Sequence, residues 1–495
     1  MRDFVLIYVN GQRYELRGAQ VFQPLSTFLR SDLQLTGTKV VCAEGDCGSC
    51  TVFLGRSQNG TLKYRTVCSC IQYLYQLDAC HIVTIEGLCP DGKLNPIQES
   101  MVRCQGTQCG YCTPGFIVSM QALFETDAVM TEQRLRRGLV GNLCRCTGYE
   151  PIFRAGLEVE TKNLYRLDEL YNPAGPLAEL ARRADEPVRL AADGKNFFKP
   201  VSLADAAKFK AEHSDCLVIS GGTDLGVQMN KGLREPKTIM SATALNLTDL
   251  QVLSDQIIAG AGVSIADLES AAAAVLPEYA QFLAWFGSPP IKNAGTLGGN
   301  IANASPIGDS MPALFVLNAQ IELFGVNGPR LISINDFYIG YKKTAAAPDE
   351  LISRIILPLP KHGELFKLYK VSKRKDLDIS TFSAAIWMKL DGPEIADVRI
   401  AYGGVGPKIV RMPQTEAHLT GGQFSQEIFD SAAQVAVAEI TPINDVRGSS
   451  EYRLLLAANI LRKFYFQVAA PSNGDQKVPA GKNGNGRPHR GRNLD

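Results

Sequence analysis

The sequence predicts a multidomain α+β protein, on three observations. Its 495 residues exceed what one hydrophobic core accommodates and suggest about three domains. Eight of its thirteen cysteines form two different four-cysteine patterns within the first 150 residues. The local pattern also changes along the chain, from a hairpin-led start, through a helical stretch, to a long segment of alternating strands and helices.

The apolar run Phe4 to Val9, the dipeptide Asn10-Gly11 and the run Gln12 to Leu16 predict a β-hairpin, because Asn and Gly tolerate the positive φ of a two-residue turn. A short helix is predicted over Ser26 to Leu33, after which the first cysteines fall in a glycine-rich loop. This unit, residues 1–88, suits a ferredoxin-like β-grasp module. From Thr113 the pattern turns helical, with Thr113 as N-cap, Pro114 at the first helical position and Phe116, Ile117, Met120, Leu123 and Phe124 on one face. A second helix is predicted over Thr131 to Leu143, delivering Cys144 and Cys146 at its end, so residues 89–160 read as an all-α unit. Residues 161–195 are charged, carry Pro173, Pro176 and Pro187, and read as a linker. Strands are predicted at Cys216 to Ser220, Ile257 to Gly260, Ile321 to Phe324 and Ser353 to Leu357. They belong to an α+β domain over 196–362, followed by a C-terminal α/β lobe over 363–470. Residues 471–495, rich in Gly, Asn, Lys, Arg and Pro without apolar periodicity, read as a disordered tail.

Composition narrows the function. A net charge of +1 supplies no field for gathering nucleic acid or an anionic membrane, so neither is an expected partner. No run approaches the roughly eighteen uncharged apolar residues of a membrane span, and the N-terminal apolar run is too short for a signal peptide. A cytoplasmic location is expected, where thirteen cysteines imply metal ligation rather than disulfides.

Cys42-x4-Cys47-x2-Cys50 has the plant-type [2Fe-2S] spacing, in which one tight loop wraps three thiolates around the cluster and a distant fourth, Cys68 or Cys70, closes the cage. Gly45 and Gly48 allow the close backbone approach that such a loop needs. Zinc knuckles favour two matched CxxC pairs, which this run lacks. The second set, Cys109-x2-Cys112 and then Cys144-x-Cys146 after thirty-one residues, fits either a four-thiolate zinc site or a second cluster. A second cluster would shorten an electron path, whereas zinc beside a redox cluster needs its own explanation. Cys80, Cys89, Cys104 and Cys216 read as structural. Two further loops stand out. Val218-Ile-Ser-Gly-Gly-Thr-Asp-Leu225 follows a strand and is either an ordinary turn or a cradle of N–H groups for a pyrophosphate. Residues Asn293 to Asp309 concentrate glycines, amides and one carboxylate in a single stretch. GxGxxG is absent, which argues against a Rossmann fold.

The stretches Cys42-Ala-Glu-Gly-Asp-Cys47-Gly-Ser-Cys50-Thr-Val, Gln108-Cys109-Gly-Tyr-Cys112-Thr-Pro-Gly and Gly141-Asn-Leu-Cys144-Arg-Cys146-Thr-Gly-Tyr149 together resemble the two cluster motifs of the xanthine dehydrogenase family of molybdenum hydroxylases, over about residues 1–470. The order cluster, cluster, linker, flavin domain resembles the small subunit of the split bacterial enzyme. The resemblance implies a first [2Fe-2S] cluster on Cys42, Cys47, Cys50 and Cys70, the last registered by its distance before Thr84 to Gly87. It implies a second [2Fe-2S] cluster on Cys109, Cys112, Cys144 and Cys146, with Gln108 approaching the pterin. It further implies an FAD domain of the CO dehydrogenase flavoprotein type. There Val218, Ile219, Ser220, Gly221, Gly222, Thr223, Asp224 and Leu225 would wrap the pyrophosphate. Thr296, Asn300 and Asn303 would bind phosphates and adenylate, and Asp309 a hydroxyl of FAD. Phe286 would pack near the isoalloxazine, Ile352 and Lys370 would make lesser contacts, and Tyr341 and the run Lys373 to Asp378 would border a nicotinamide pocket.

The activity so implied is a relay in purine hydroxylation, hypoxanthine to xanthine to urate. Electrons leave a molybdopterin centre through the helical-unit cluster, then the plant-type cluster, then FAD, which reduces NAD+. No region remains for the molybdopterin, so a large partner subunit is expected, in a heterotetramer of two small and two large subunits, with no hydroxylating residue on this chain. The same modules could instead serve an aldehyde- or carbon-monoxide-oxidising relative, or form a non-catalytic metal-binding module.

Overall fold

In a computed structural model, which describes residues 1–58, 60–89, 92–126, 129–171 and 174–469, the opening hairpin forms as its turn residues dictate. Asn10 and Gly11 take φ of 49° and 83°, and Val5–Val9 pairs antiparallel with Gln12–Leu16 from Val5↔Leu16 to Val9↔Gln12. Cys80–Val83 then runs parallel to Val5–Val9 and antiparallel to Thr51–Gln58, whose hairpin partner is Thr61–Cys68. The result is a mixed five-stranded sheet. The expected helix is present as Leu25–Thr27 continuing into a π turn over Phe28–Asp32, and it closes the sheet with buried Leu25, Phe28 and Leu29.

Four helices follow, Pro96–Arg103, Thr113–Phe124, Glu132–Gly138 and Glu150–Leu157, around a core that includes Ile97, Met101, Phe116, Met120, Leu135 and Ile152. Two sequence expectations are corrected here. Cys112, not Thr113, is the N-cap, because the Thr113 hydroxyl bonds Thr107 Oγ1 at 2.7 Å and leaves Pro114 one position later. The next helix has Thr131 as its cap but ends at Gly138 rather than Leu143. Gly138 sits where a Cβ would lie 2.4 Å from Leu123, and the Asn142 side chain and the Leu143 N–H bond another segment. Cys144 and Cys146 therefore lie in the following loop, not at a helix end.

Residues 161–195 are more than a connector. They contain the helix Ala174–Ala184 and the strand Val188–Ala192, while Pro173 lies outside the described residues. Leu177, Leu180 and Ala184 pack against Phe4, Leu6 and Tyr8 of the first sheet. Val188–Ala192 opens a second sheet, in the order Val188–Ala192, Lys195–Lys199, Thr238–Ser241, Leu217–Ile219. A five-stranded antiparallel sheet, Leu250–Val252, Gln256–Gly260, Leu351–Pro358, Gln320–Gly325 and Gly328–Ser333, continues the α+β region. All four strands expected in this region are present in these sheets. The last lobe packs Gln426–Ala438 and Ser450–Ala469 on a four-stranded sheet running from Leu365 to Arg411. The expected tail, 471–495, lies outside the described residues. Among those described, no helix is long and apolar enough to cross a membrane.

The N-terminal sheet and the sheet opened by Val188–Ala192 are tied by a buried ionic group. Asp78 accepts from Arg2 at 3.0 and 2.8 Å and from Lys199 Nζ at 2.6 Å, with all three side chains 7% exposed or less. Arg2 also donates to the Arg183 carbonyl, and Lys199 to that of Ala184. Each charge is thereby both paired and hydrogen-bonded, the condition under which burial is tolerated.

Candidate functional site

The first cysteine loop is shaped by left-handed residues, Ala43 (φ 55°), Gly45 (74°) and Gly48 (68°), that turn its N–H groups inward. Glu44 and Cys47 N–H donate to Cys42 Sγ at 3.4 and 3.5 Å. The Cys42 thiol is in hydrogen-bond contact with Cys47 and Cys70, and the Cys50 thiol with Cys68 and Cys70. Cys70 thus touches both halves of the set. Cys68 touches Cys50 and otherwise donates to the Gly45 carbonyl at 3.6 Å. Those thiol contacts hold Cys42 and Cys50 well below the ordinary thiol value and push Cys47, Cys68 and Cys70 up. Only Cys42 and Cys50 are thereby shifted toward the thiolate, the form that ligates iron. Among the described residues no three His, Cys, Asp or Glu side chains converge on one ion-sized point, whereas a two-iron cluster spreads its four sulfurs more widely.

In the second set Cys112 caps Thr113–Phe124, and Cys109 precedes it across Gly110, φ 81°. The other pair sits on a loop bent by Gly148 (φ 68°) and Tyr149 (φ 72°). Tyr149 Oη accepts from the Cys144 N–H at 3.1 Å, and Thr147 Oγ1 lies 3.1 Å from Cys144 Sγ. The two halves meet: Cys146 Sγ is 3.4 Å from Cys109 Sγ, and Cys112 contacts Cys144. Burial pushes the Cys112 thiol up to about 12, while the Tyr111 N–H and the Cys146 thiol lower that of Cys109. Cys109 and Cys146 are exposed, so one edge of this set faces outward.

The two sets share a seam that no spacing announces. Leu143 N–H, beside Cys144, donates to the Cys47 carbonyl at 3.0 Å, and Asn142 Nδ2 to the Gly48 carbonyl at 3.2 Å. Gly115, three residues after Cys112, is packed where a Cβ would lie 2.1 Å from that same carbonyl oxygen. One hydrogen bond therefore separates the backbone of Cys47 from that of the residue next to Cys144.

On its other side the first loop meets the two glycine-bearing loops. Residues 220–224 connect the strand Leu217–Ile219 to the helix Leu225–Asn230. Gly222 has φ 69°, and a Cβ on Gly221 would lie 1.9 Å from Ala294 O, which brings this loop against the start of the Asn293–Asp309 stretch. Gln72 donates to Gly221 O at 2.9 Å and Gln76 to Ser220 O at 3.2 Å. Thr296 caps Leu297–Ala302 by accepting from the Gly299 N–H, and Asn300 Oδ1 accepts from Ser310 at 2.6 Å. Asp309 is buried between Lys370 Nζ (2.7 Å) and Ser380 Oγ (2.5 Å), and Lys370 also donates to Trp285 O. Phe286 and Ile352 border the adjacent core, and Asn303 ends the Leu297–Ala302 helix.

Tyr341 is exposed on a separate hairpin, and the 373–378 run is tied by an Arg374–Asp378 ion pair. A cleft of 920 Å³, lined by Lys375, Trp285, Lys292 and Arg137, lies beside this run rather than over Val218–Leu225. Gln72, Gln76, Asn230 and Ser380 belong to no motif. Their role depends on which segments the fold brings together.

Comparison with known proteins gives three family models in succession. They are a [2Fe-2S] binding domain over residues 84–157, the FAD binding domain in molybdopterin dehydrogenase over 191–360, and the CO dehydrogenase flavoprotein C-terminal domain over 367–468. Xanthine dehydrogenase of Oryza sativa subsp. japonica is 30% identical over 94% of this chain and 40% of its own length. Xanthine dehydrogenase/oxidase of Mus musculus is 28% identical over 94% and 39%. The chain therefore spans about two fifths of the length of these curated relatives. Among solved structures, carbon monoxide dehydrogenase from Hydrogenophaga pseudoflava matches with a TM-score of 0.52 and 26% identity, over 54% of this chain and 94% of that one. Reconstituted CO dehydrogenase from Oligotropha carboxidovorans gives 0.51 and 28% over the same shares.

Proposed function

Because this chain belongs to the xanthine dehydrogenase family of molybdenum hydroxylases and carries its [2Fe-2S] and FAD domains, we propose that it is the electron-transfer and NAD+-reducing part of a xanthine dehydrogenase. The observation that carries this reading is contiguity: the second cysteine set adjoins the first through Leu143 and Cys47, and the first adjoins the flavin loop through Gln72 and Gly221. Bound in these places, the clusters supply single-electron steps and the flavin the conversion to a hydride. Cys42, Cys47, Cys50 and Cys70 would hold the first cluster, and Cys109, Cys112, Cys144 and Cys146 the second. The loop from Val218 to Leu225, with Thr296, Asn300 and Asn303, would hold FAD. Asp309, already charge-paired with Lys370, would present its remaining acceptor capacity to an FAD hydroxyl. Lys370, fixed by Asp309 and the Trp285 carbonyl, would keep the turn before Phe286 in place.

The hydroxylating centre would lie on a separate molybdopterin-binding subunit, in a heterotetramer of two copies of each. The exposed Cys109–Cys146 edge suits the side nearer that partner. That 54% of this chain covers 94% of a carbon monoxide dehydrogenase chain supports a division of such units among separate polypeptides. It equally keeps open a non-purine substrate, whose choice would rest with the molybdenum subunit.

The purified chain should contain about four iron and four labile sulfide, as two [2Fe-2S] clusters require. It should reduce a dye with NADH, and form urate from xanthine only after the large subunit is added. Stoichiometric zinc in place of half the iron, or urate from the chain alone, would sink the reading.

A further inference from the structure

The helix Leu225–Asn230, which follows the proposed flavin loop, is gripped at both ends by the segments that carry the first cysteine set. At its start Gly226 lies so close to the Ile71 carbonyl oxygen that a Cβ there would stand 2.4 Å from it. At its end the Asn230 amide donates to two carbonyls, that of Ala43 and that of Cys70, both at 2.8 Å. Asn230 Oδ1 accepts from Tyr73 Oη at 3.0 Å. Two donors and one acceptor are all engaged, a set that a primary amide offers and that neither a hydroxyl nor a carboxylate can. The two acceptors are not arbitrary. Ala43 follows Cys42 and is held at φ 55°, and Cys70 is the sulfur that reaches both halves of the set.

We propose that Asn230 is the positioning residue of the electron step between the first cluster and the flavin. It fixes the Cys42 and Cys70 segments at one separation from the 220–224 loop. This rests on the reading that those cysteines hold a [2Fe-2S] cluster and that loop holds FAD. With both groups bound, one electron at a time would pass from the cluster held by Cys42, Cys47, Cys50 and Cys70 to the flavin held by the 220–224 loop, and the protons the flavin needs would come from water. Asn230 forms and breaks no bond and touches neither reacting centre. Its contribution is geometric: an amide bonded to both ligand segments leaves them no independent motion relative to the helix. The exposed Lys231–Glu44 pair beside it adds little, because solvent screens it.

The test uses the full chain loaded with clusters and FAD, and follows electrons from flavin to cluster by stopped-flow absorbance and rapid-freeze EPR. Flavin is reduced by NADH, and separately by light with an artificial donor, so that the result for Asn230 does not depend on NADH being the natural partner. In Asn230→Leu, iron, sulfide and FAD per chain and NADH-to-dye activity should match the parent, while flavin-to-cluster transfer slows by about tenfold or more. Asn230→Asp, which keeps the acceptor for Tyr73 and loses both donors, should do the same, and Asn230→Gln should recover part of the rate. Unchanged transfer in both Asn230→Leu and Asn230→Asp overturns the proposal. Loss of the first cluster from both also overturns it, since the residue would then belong to the cage. Should neither variant accumulate, Gln72→Leu removes the neighbouring tie to Gly221, and an unchanged rate there counts against the proposal equally. A parent protein reduced by light but not by NADH would refute NAD+ as acceptor and leave the Asn230 result standing.

Discussion

Cys68 and Cys70 differ in reach, not in chemistry. Between them Ser69 donates its N–H and Oγ to the Cys50 carbonyl at 3.2 and 2.7 Å, so the chain turns about that point. The turn directs Cys70 toward both Cys42 and Cys50, and leaves Cys68 against Cys50 and the Gly45 carbonyl. Replacing Cys70 by Ser should abolish or strongly perturb one of two [2Fe-2S] EPR signals. Cys68→Ser, whose hydroxyl can still donate to Gly45, should leave both signals in place. The reverse pattern would reassign the fourth ligand. Spacing singled out Cys42, Cys47 and Cys50 as candidates because three ligands on one loop must share one spacing. It left the fourth open because a distant ligand is placed by strand register and by the Ser69 turn, neither of which a cysteine count contains.

The six-residue helix Leu225–Asn230 shows what an element contributes beyond its residues. Without Gly226 it could not lie on Ile71, and without that contact the 220–224 loop would keep only the Gln72 and Gln76 hydrogen bonds to the N-terminal unit. Gly226→Val should therefore force the helix off by the few tenths of an ångström to an ångström that overpacking demands, at a cost of about 1–3 kcal/mol. The expected outcome is loss of FAD on dialysis with both cluster signals kept, measured by flavin and iron content. Equal retention of FAD would show that the loop does not depend on the contact. Elements were legible where one physical pattern ruled, as in the Asn10-Gly11 hairpin and the β-branched strands Gln256–Gly260 and Leu351–Pro358. They were misjudged where two patterns competed. The run after Gly138 keeps apolar residues at Leu139, Val140 and Leu143, yet the Leu143 N–H is drawn off to Cys47 and the Asn142 side chain to Gly48. The Ala174–Ala184 helix buries Leu180 and packs Leu177 and Ala184 beside it at helical spacing, but its charges and Pro176 give it the composition of a linker.

At the scale of the whole molecule, the proposed electron path would run from the second cysteine set to the first and then to the 220–224 loop, which reverses the chain order of the first two units; the motifs alone indicated the units. What they could not indicate was contact, because a carbonyl that accepts a hydrogen bond has no sequence signature. The segment between the units supplies much of that contact. Arg2 N–H donates to the Pro187 carbonyl at 2.9 Å, Arg189 N–H returns a bond to the Arg2 carbonyl at 2.9 Å, and Asp78 meets Lys199. Such pairings, the shortest of them across 121 positions, must wait for the intervening chain. This bears on synthesis. A ribosome that has released residues 1–160 has delivered every proposed iron ligand, but not the Lys199 ammonium or the Arg183, Ala184 and Pro187 carbonyls that the buried group of Arg2 and Asp78 requires. Until about forty more residues emerge, the first sheet lacks the helix and strand that cover this ionic group and complete its hydrogen bonds, and its apolar edge at Phe4, Leu6 and Tyr8 stays uncovered. A fragment ending at residue 160 should accordingly hold less iron and unfold at lower urea than one ending at residue 200, and equal behaviour would count against that account. Iron would then be committed to the chain late in its synthesis, once the residues that position the flavin side have begun to appear.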